Sequence, residues 1–225
     1  QPYKSSGGKL VYNEELDQEI PEGWTDISID DMGLYISDLV ANGSFQSIKS
    51  NVTPLENEDY ALFVRNTDLK SNFKNKIYVT EHAYNFLKKS KLYGGEIILP
   101  NVSDIGTVHL CPNLSIPMTL GNNCILIRYE YSYWLYNFFK SFQGQCSLEE
   151  ATVGSVQKKL SKTNFKAVKI MRPSKNIIEQ YNSKAENIHN NIDNNLKLLS
   201  SLKDLVQVVF SKMSKVESFK TEQVL

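Results

Sequence analysis

SKNIIEQYNSKAENIHNNIDNNLKLLSSLKDLVQVVFSKM, residues 174–213, has the apolar spacing of a long helix that pairs with another helix. Its apolar side chains recur every 3.5 residues, at the a and d positions of successive heptads. The predicted seam consists of Ile178, Tyr181, Ala185, Ile188, Ile192, Leu199, Leu202, Val206 and Val209, with Asn195 at the one polar d position. At 1.5 Å per residue the helix would be roughly 60 Å long, which exceeds the diameter of a small domain.

The polar residues around this seam favour pairing over burial in a globular core. Most of the helix circumference is polar, whereas a core helix carries a wider apolar stripe. A long core helix remains the alternative. Pro173 and Ser174 suit the opening turn, and Asn195 is expected to help set the register of the pair.

The composition is that of an ordinary soluble protein of 225 residues, enough for one large domain or for a domain with an appendage. No apolar run approaches the length of a membrane span, and the first residues lack the order of a signal peptide. A cytoplasmic location is therefore expected. Cys111, Cys124 and Cys146 are odd in number and show no CxxC spacing, which argues against a disulfide framework and a zinc site.

The charges are unevenly distributed although the formal net charge is zero. Residues 1–60 carry twelve acidic side chains and three lysines, whereas residues 61–225 carry 22 basic and 13 acidic side chains. The second part is the one expected to meet a polyanion. A chance excess of basic residues is the alternative explanation.

The stretch between the N-terminus and the long helix predicts one mixed domain. Residues 1–19 are expected to be a linker, residues 20–173 the domain, and residues 214–225 a tail. Within the domain, residues 34–53 predict a polar loop, and the aromatic run at 131–142 predicts a buried helix, with base stacking as the alternative. Short apolar runs predict strands at 60–64, 96–99, 107–110 and 122–129.

These strands and helices do not alternate regularly, so a doubly wound parallel sheet is not expected. The predicted fold class is α+β, with a mixed, mostly antiparallel twisted sheet followed by a long C-terminal coiled-coil helix.

A polar cluster follows the predicted strand at 60–64. It contains Arg65, Asn66, Asp68, Lys70, Asn72 and Lys74. Arginine, asparagine and lysine are the side chains that pair with guanine, adenine and phosphate groups. The cluster is therefore a candidate nucleic-acid surface, with a solvated strand end as the alternative.

The sequence shows no catalytic or metal-binding motif. His82, His109 and His189 are each isolated from other ligand types at useful spacing, and no HExxH, GxSxG, Walker or dinucleotide fingerprint occurs. A triad assembled in space remains conceivable. We expect a binding protein without a metal or a cofactor, and no catalysis.

Several segments together resemble half of a specificity subunit from a type I restriction-modification enzyme. GGKLVYNEELDQEIPEGW at 7–24 resembles the linker and entry to a target-recognition domain of that family. GGEIILPNVSDIGTVHL at 94–110 and TVGSVQKKLSKTNFKAVKIMRP at 152–173 are similar to two further family segments, the second of which precedes the conserved helix. The resemblance covers nearly everything from Lys9 to about Phe210.

The resemblance implies that residues 20–173 are a target-recognition domain that binds double-stranded DNA. In this family two such domains, held apart by antiparallel long helices, each read half of a bipartite target. The modification subunit, an adenine methyltransferase, and the restriction subunit join the same scaffold. This chain has one such domain, so it is either a fragment or one of two copies that pair head-to-tail and read a palindromic target.

The residues predicted to contact DNA come from early and late loops of that domain. The family does not supply base-reading residues, so they are chosen by residue type and loop placement. They are Lys49, Arg65, Asn66, Lys70, Asn72, Lys74, Ser155, Gln157, Lys158 and Lys159. Gln157 would pair with adenine, Arg65 with guanine, and the lysines with phosphates. The competing hypothesis is a coiled-coil interaction or inhibitory module that binds the modification subunit without reading DNA.

Overall fold

The structure is a computed structural model that describes residues 8–154 and 158–222, except for the side chains of Leu196, Ser200, Asp204 and residues 214–222. It divides into two compact units, Gln1–Asn182 and Ser183–Leu225. The helices are α1 (Phe45–Asn51), α2 (Asn66–Lys70), α3 (Glu81–Phe86), α4 (Ser132–Lys140), α5 (Phe142–Glu150), α6 (Lys162–Ala167) and α7 (Lys175–Glu222).

The strands are short and are distributed over the whole first unit. They are β1 (Leu10–Asn13), β2 (Gln18–Pro21), β3 (Thr25–Ser28), β4 (Tyr35–Asp38), β5 (Ala61–Val64), β6 (Tyr78–Val79), β7 (Lys91–Leu92), β8 (Ile97–Pro100), β9 (His109–Leu110), β10 (Met118–Leu120), β11 (Cys124–Arg128), β12 (Thr152–Val153), β13 (Lys159–Leu160) and β14 (Lys169–Arg172).

Two four-stranded sheets form the centre of the first unit. One has the order β4-β11-β8-β9 and is antiparallel throughout. The other has the order β6-β5-β10-β7, in which β5 and β10 are parallel and the remaining neighbours are antiparallel. The pairs β1-β2, β3-β14 and β12-β13 are also antiparallel. The α+β class with a mostly antiparallel sheet is confirmed, and so is the long C-terminal helix.

Both central sheets are buried on both faces. Along β11, Ile125 and Ile127 belong to one hydrophobic core, whereas Leu126 belongs to a second. Along β5, Leu62 belongs to that second core and Phe63 to a third. Successive side chains of a strand point to opposite faces, so the second core lies between the two sheets. Helices α4, α5 and α6 contribute to the first core, and α1 and α3 to the third.

Most of the aromatic run at 131–142 forms helix α4 (Ser132–Lys140), whose buried rings pack in the core as expected, whereas Phe142 begins α5 and is 87% exposed. Trp134 and Phe139 are buried, and the rings of Phe139 and Phe165 lie 5.6 Å apart. These rings are enclosed by apolar neighbours. Burying side chains of this size is a major source of stability for a domain.

The first two turns of α7 belong to the first unit. Ile178 is completely buried in the first core. Asn182 is also buried, and its Oδ1 accepts hydrogen bonds from the backbone N–H groups of Tyr133 and Trp134, each 3.1 Å long. These are unpaired donors at the start of α4, so α7 caps another helix. Tyr131 also donates to Glu179, at 3.1 Å.

One expectation about local structure was wrong. The polar stretch 34–53 is not a loop, because it contains β4 and α1. The Asp38 side chain accepts from Ala41 N at the end of β4, and the Ser44 side chain accepts from Ser47 N at the start of α1. These short polar side chains, typical of loops, serve here as caps.

Residues 1–19 were expected to be a linker, and strand β1 and the start of β2 lie within them. The two strands form an antiparallel hairpin in which Val11 pairs with Ile20. Ile20 is almost completely buried. No helix in the described part of the chain is long and apolar enough to cross a bilayer.

Candidate nucleic-acid interface

A cleft of about 880 Å³ brings together segments that are distant in the sequence. Helix α1 and the turn before it contribute to its lining, as do the segments around the β8 end, the β10–β11 turn and strand β13. Its polar lining residues include Lys49, Asn101, Asn122, Asn123, Lys159, Ser161 and Lys162. Two of the predicted DNA contacts, Lys49 and Lys159, therefore lie at one site.

The lysines of this cleft outnumber its acids. Lys162 Nζ lies 2.7 Å from Asp38 Oδ2, and Asp38 is the one acidic residue of the lining. Lys49 and Lys159 are exposed, and neither forms an ion pair with a residue that the structure describes. Two positive charges of the lining are therefore available to an anionic ligand.

Three other clefts of the described part of the chain lack this excess. A cleft of about 580 Å³ is lined by Glu15, Asp17 and Glu150 with Lys169 as its one basic residue. In a cleft of about 1040 Å³, three acidic residues balance the three basic residues Arg65, Lys74 and Lys76. In a small cleft of about 290 Å³, the lining residues Glu149 and Lys158 form an ion pair with each other. The cleft of Lys49 and Lys159, called the lysine cleft below, is the most suitable of the four for a phosphate backbone.

The lysine cleft also exposes apolar side chains. Phe45, the first residue of α1, is 80% exposed, and Val40 and Val153 are exposed as well. Cys124 lies in the lining but is buried, and burial raises the pKa of its thiol to about 12. A thiol with that pKa stays protonated at neutral pH, so it is not an activated nucleophile. The exposed side chains of Phe45, Val40 and Val153 suit contacts with bases or with thymine methyl groups.

Arg65 is engaged within the protein, which corrects its predicted role. Its Nε donates to Asp68 Oδ2 at 2.9 Å and its Nη2 to Asp68 Oδ1 at 2.7 Å. Asp68 is buried, and the hydrogen bond to it raises the pKa of Arg65. Nη2 also donates to the carbonyl of Asn75 at 3.1 Å. A guanidinium held in this bidentate way has no free pair of N–H donors for a bidentate contact with guanine.

Asn66 and Lys70 are also held by neighbouring side chains. Asn66 Nδ2 donates to Asp104 Oδ2 at 2.6 Å, and Asn66 Oδ1 lies 2.8 Å from His109 Nε2. Lys70 Nζ lies 3.2 Å from the same Asp104 oxygen. These contacts tie α2 to the segment between β8 and β9. Both Nδ2 and Oδ1 of the Asn66 amide thus have partners within the protein.

The remaining predicted contacts are dispersed. Asn72 and Lys74 are exposed in the turn after α2, away from the lysine cleft lining. Lys158 forms an ion pair with Glu149 at 2.6 Å. Ser155 and Gln157 lie outside the described residues. Among the described residues, no group of three His, Cys, Asp or Glu side chains is arranged to hold a metal ion.

Comparison with protein families decides where this chain belongs. The family model described as the type I restriction modification DNA specificity domain matches residues 21–207. The chain belongs to this family. A search of the curated proteins finds no match.

The chain resembles three solved structures at low sequence identity. A chain from a structure on the complex assembly and conformational transition of the type I R-M system has a TM-score of 0.50 at 12% identity, over 78% of this chain and 40% of that one. The S subunit from M. genitalium gives 0.47 at 15% identity, over 83% and 43%. The HsdS subunit from Thermoanaerobacter tengcongensis gives 0.49 at 11% identity, over 78% and 39%. This chain thus spans less than half the length of each.

In this specificity-domain chain the predicted helix seam divides into two parts. Ile178 is completely buried in the first core, so it is not available to a partner helix, which corrects that prediction. Ala185 is also buried. The exposed seam residues are Tyr181, Ile188, Ile192, Asn195, Leu199, Leu202, Val206 and Val209. A partner helix could therefore contact the exposed seam residues from Tyr181 onward, but not Ala185.

Phe45, Asn101, Asn122 and Lys162 also line the specificity domain's cleft and were not predicted as DNA contacts. Asn101 was interpreted as part of a turn, and Asn122 as the first residue of a strand. Their position in the sequence could have indicated the cleft, because Asn101 lies just beyond β8 and Asn122 just before β11. These two strands pair with Pro100 opposite Cys124. Side chains at adjacent strand ends meet at one edge of a sheet.

Proposed function

We propose that this chain recognises a DNA sequence as a specificity component of a type I restriction-modification system, and that it binds one half of a bipartite target at the lysine cleft. The family match over residues 21–207 carries the proposal. The lysine cleft supports a location for the contact, because Lys49 and Lys159 lack ion-pair partners among the described residues and share its lining.

The chemistry of the lysine cleft suits a duplex. Lysines contribute affinity by neutralising phosphates, independently of sequence. Base discrimination requires hydrogen-bonding side chains and apolar contacts, which Asn101 and Phe45 supply in the same lining. Recognition of this kind needs no catalytic group. Specificity subunits of type I systems are non-catalytic DNA-recognition proteins, and we place this chain in the cytoplasm with its DNA.

We further propose that α7 assembles the complex. From Ile188 to Val209 the helix carries exposed apolar side chains at heptad spacing, and a row of this kind is stabilised by a second helix. The chain spans 40% of the type I chain that it resembles, so two copies come close to that length. We propose that a second copy, or another specificity half, pairs along this row, and that the modification and restriction subunits join the paired helices.

Salt-dependent binding to duplex DNA tests the recognition proposal. The affinity of the chain for duplex fragments is measured between 50 and 200 mM salt, with a Lys49→Gln/Lys159→Gln double variant alongside. Each phosphate contact contributes about 0.9 to the slope of log affinity against log salt, so the double variant is expected to lower the slope by about 1.8.

A matched variant locates the contact. Lys74→Gln/Lys76→Gln removes the same charge from the cleft of about 1040 Å³, and its slope is expected to stay close to that of the unmodified chain. A chain that binds no duplex at low salt would refute DNA recognition. Equal slopes for the unmodified chain and the Lys49/Lys159 variant would refute the location.

A further inference from the structure

Asn101 is held rigidly at the point where three strands meet. Its backbone N–H donates to the carbonyl of Asn123 at 2.9 Å, and its own carbonyl accepts from Leu160 N at 3.0 Å. The next residue, Val102, forms a bridge with Lys159. Asn101 is therefore fixed between the ends of β8 and β11 and strand β13, next to one of the two unpaired lysines. A side chain on such a frame is presented with little freedom of its backbone.

The amide of Asn101 is unpaired within the described part of the chain. Its Oδ1 is buried there without a hydrogen-bond partner. A buried amide oxygen without a donor is unfavourable, and such groups are rare in folded proteins. The residue lines the lysine cleft, so a ligand in the cleft that offers a donor would satisfy the group after a rotation of the side chain.

The backbone gives no other reason for an asparagine at this position. Asn123 has a φ of 60°, a left-handed conformation that asparagine tolerates better than most residues. Asn101 is not among the residues with positive φ. Its amide does not cap a helix either, because neither amide atom forms a hydrogen bond with a described residue. The side chain is left for a ligand.

We propose that Asn101 reads a base of the DNA half-site, with adenine as its preferred partner. The inference rests on the proposed function, because it requires duplex DNA in the lysine cleft. An asparagine amide offers one acceptor and one donor in a plane, which match N6–H and N7 of adenine in the major groove. Lys49 and Lys159 hold the flanking phosphates, and Asn101 supplies the sequence information.

Selection from a random duplex pool tests the role of Asn101. The unmodified chain, Asn101→Asp and Asn101→Ala are each incubated with the pool, and the bound duplexes are sequenced. The unmodified chain is expected to enrich a motif containing adenine. Asn101→Asp is expected to replace that adenine with cytosine, because a carboxylate accepts from cytosine N4. In Asn101→Ala, the preference for adenine at that position is expected to fall roughly 5- to 150-fold. The preferences at the other positions of the motif are expected to stay unchanged.

Asn122→Asp is the matched control, since it adds the same charge to the lining of the same cleft. It is expected to lower affinity without changing the base at the position that Asn101→Asp alters. If both Asn101 variants enrich the motif of the unmodified chain, the inference is overturned while DNA recognition stands. If the unmodified chain enriches no motif, the proposed function itself fails.

Thermal unfolding of Asn101→Ala separates base reading from a structural role. Because the replaced amide has no described partner, the variant is expected to melt within a few degrees of the unmodified chain. A large loss of melting temperature would show that the amide is paired inside the protein, and would overturn the inference.

Discussion

Lys49 on α1 and Lys159 on β13 line the same cleft, although they lie at opposite ends of the domain sequence. Each lysine lacks an ion-pair partner among the described residues, unlike Lys70, Lys158 and Lys162 in the same unit. Tertiary structure thus places these two lysines together in a cleft whose described lining has more basic than acidic residues.

Arg65 is expected to stabilise the fold rather than read a base. Arg65→Gln removes the bidentate partner of the buried Asp68, and we expect a loss of about 2 kcal/mol in the free energy of unfolding. Denaturant unfolding measures it, with Lys74→Gln as an exposed control that changes little. A stable Arg65→Gln protein with an altered base preference would contradict this role.

Asn182 is expected to matter to α4 although it lies on α7. Asn182→Ala removes the acceptor for the backbone N–H groups of Tyr133 and Trp134, and the loss of such a cap costs about 1 to 2 kcal/mol. Asn187→Ala changes an exposed asparagine of the same helix and is expected to cost much less. Equal unfolding free energies for the two variants would show that the cap contributes nothing.

His109 is expected to make the stability of the domain depend on pH. Burial, reinforced by the charge of Lys70, lowers the pKa of His109 below 6.5. The unfolded chain then binds a proton more readily than the folded chain. Stability is therefore unaffected by this group above pH 6.5, and it falls as the pH drops below that value toward the folded pKa.

Unfolding free energies at pH 7.5 and 5.5 check the His109 prediction. His109→Gln is expected to reduce the difference between the two. An identical pH dependence in the His109→Gln protein would assign the effect to other groups.

The exposed apolar row of α7 is expected to drive association. Light scattering should give the mass of a dimer, and two modification subunits should bind to that dimer. Leu202→Asp/Val206→Asp places charges in the row and is expected to yield monomers, because two charges in a helix interface oppose its burial. Asp substitutions at exposed Asn190 and Asn194 serve as controls. A monomeric unmodified chain would contradict self-pairing.

Asn195 is expected to restrict how the paired helices align. A polar residue at a d position favours one register at some cost in stability. Asn195→Leu should raise the thermal stability of the dimer while permitting more than one helix orientation, which cross-links between engineered cysteines would detect. An Asn195→Leu dimer with one unchanged orientation would count against this role.

The sequence was sufficient to predict the long helix and the buried strands, because their patterns are local. The 3.5-residue spacing marks α7, and apolar runs mark β5, β8 and β11. The sequence was insufficient to predict hydrogen bonds between side chains that are distant in the chain. Asn66 has the residue type of a base reader, but Asp104 and His109 engage it.

The cleft could be anticipated only in part for the same reason. Lys49 and Lys159 were each predicted from residue type, but their proximity depends on how β13 packs beside the β8 end. Ile178 fits the heptad spacing as well as Ile192 does, and only tertiary packing shows that Ile178 is buried in the domain core.

Lysine footprinting tests the central claim most directly. The chain is acylated with a lysine-selective reagent, with and without a duplex that it enriches from the random pool, and the modified lysines are identified by mass spectrometry. The lysine-cleft account predicts that the duplex protects Lys49 and Lys159, while Lys74 and Lys76 react as before. Protection of Lys74 and Lys76 with Lys49 and Lys159 still reactive would contradict it.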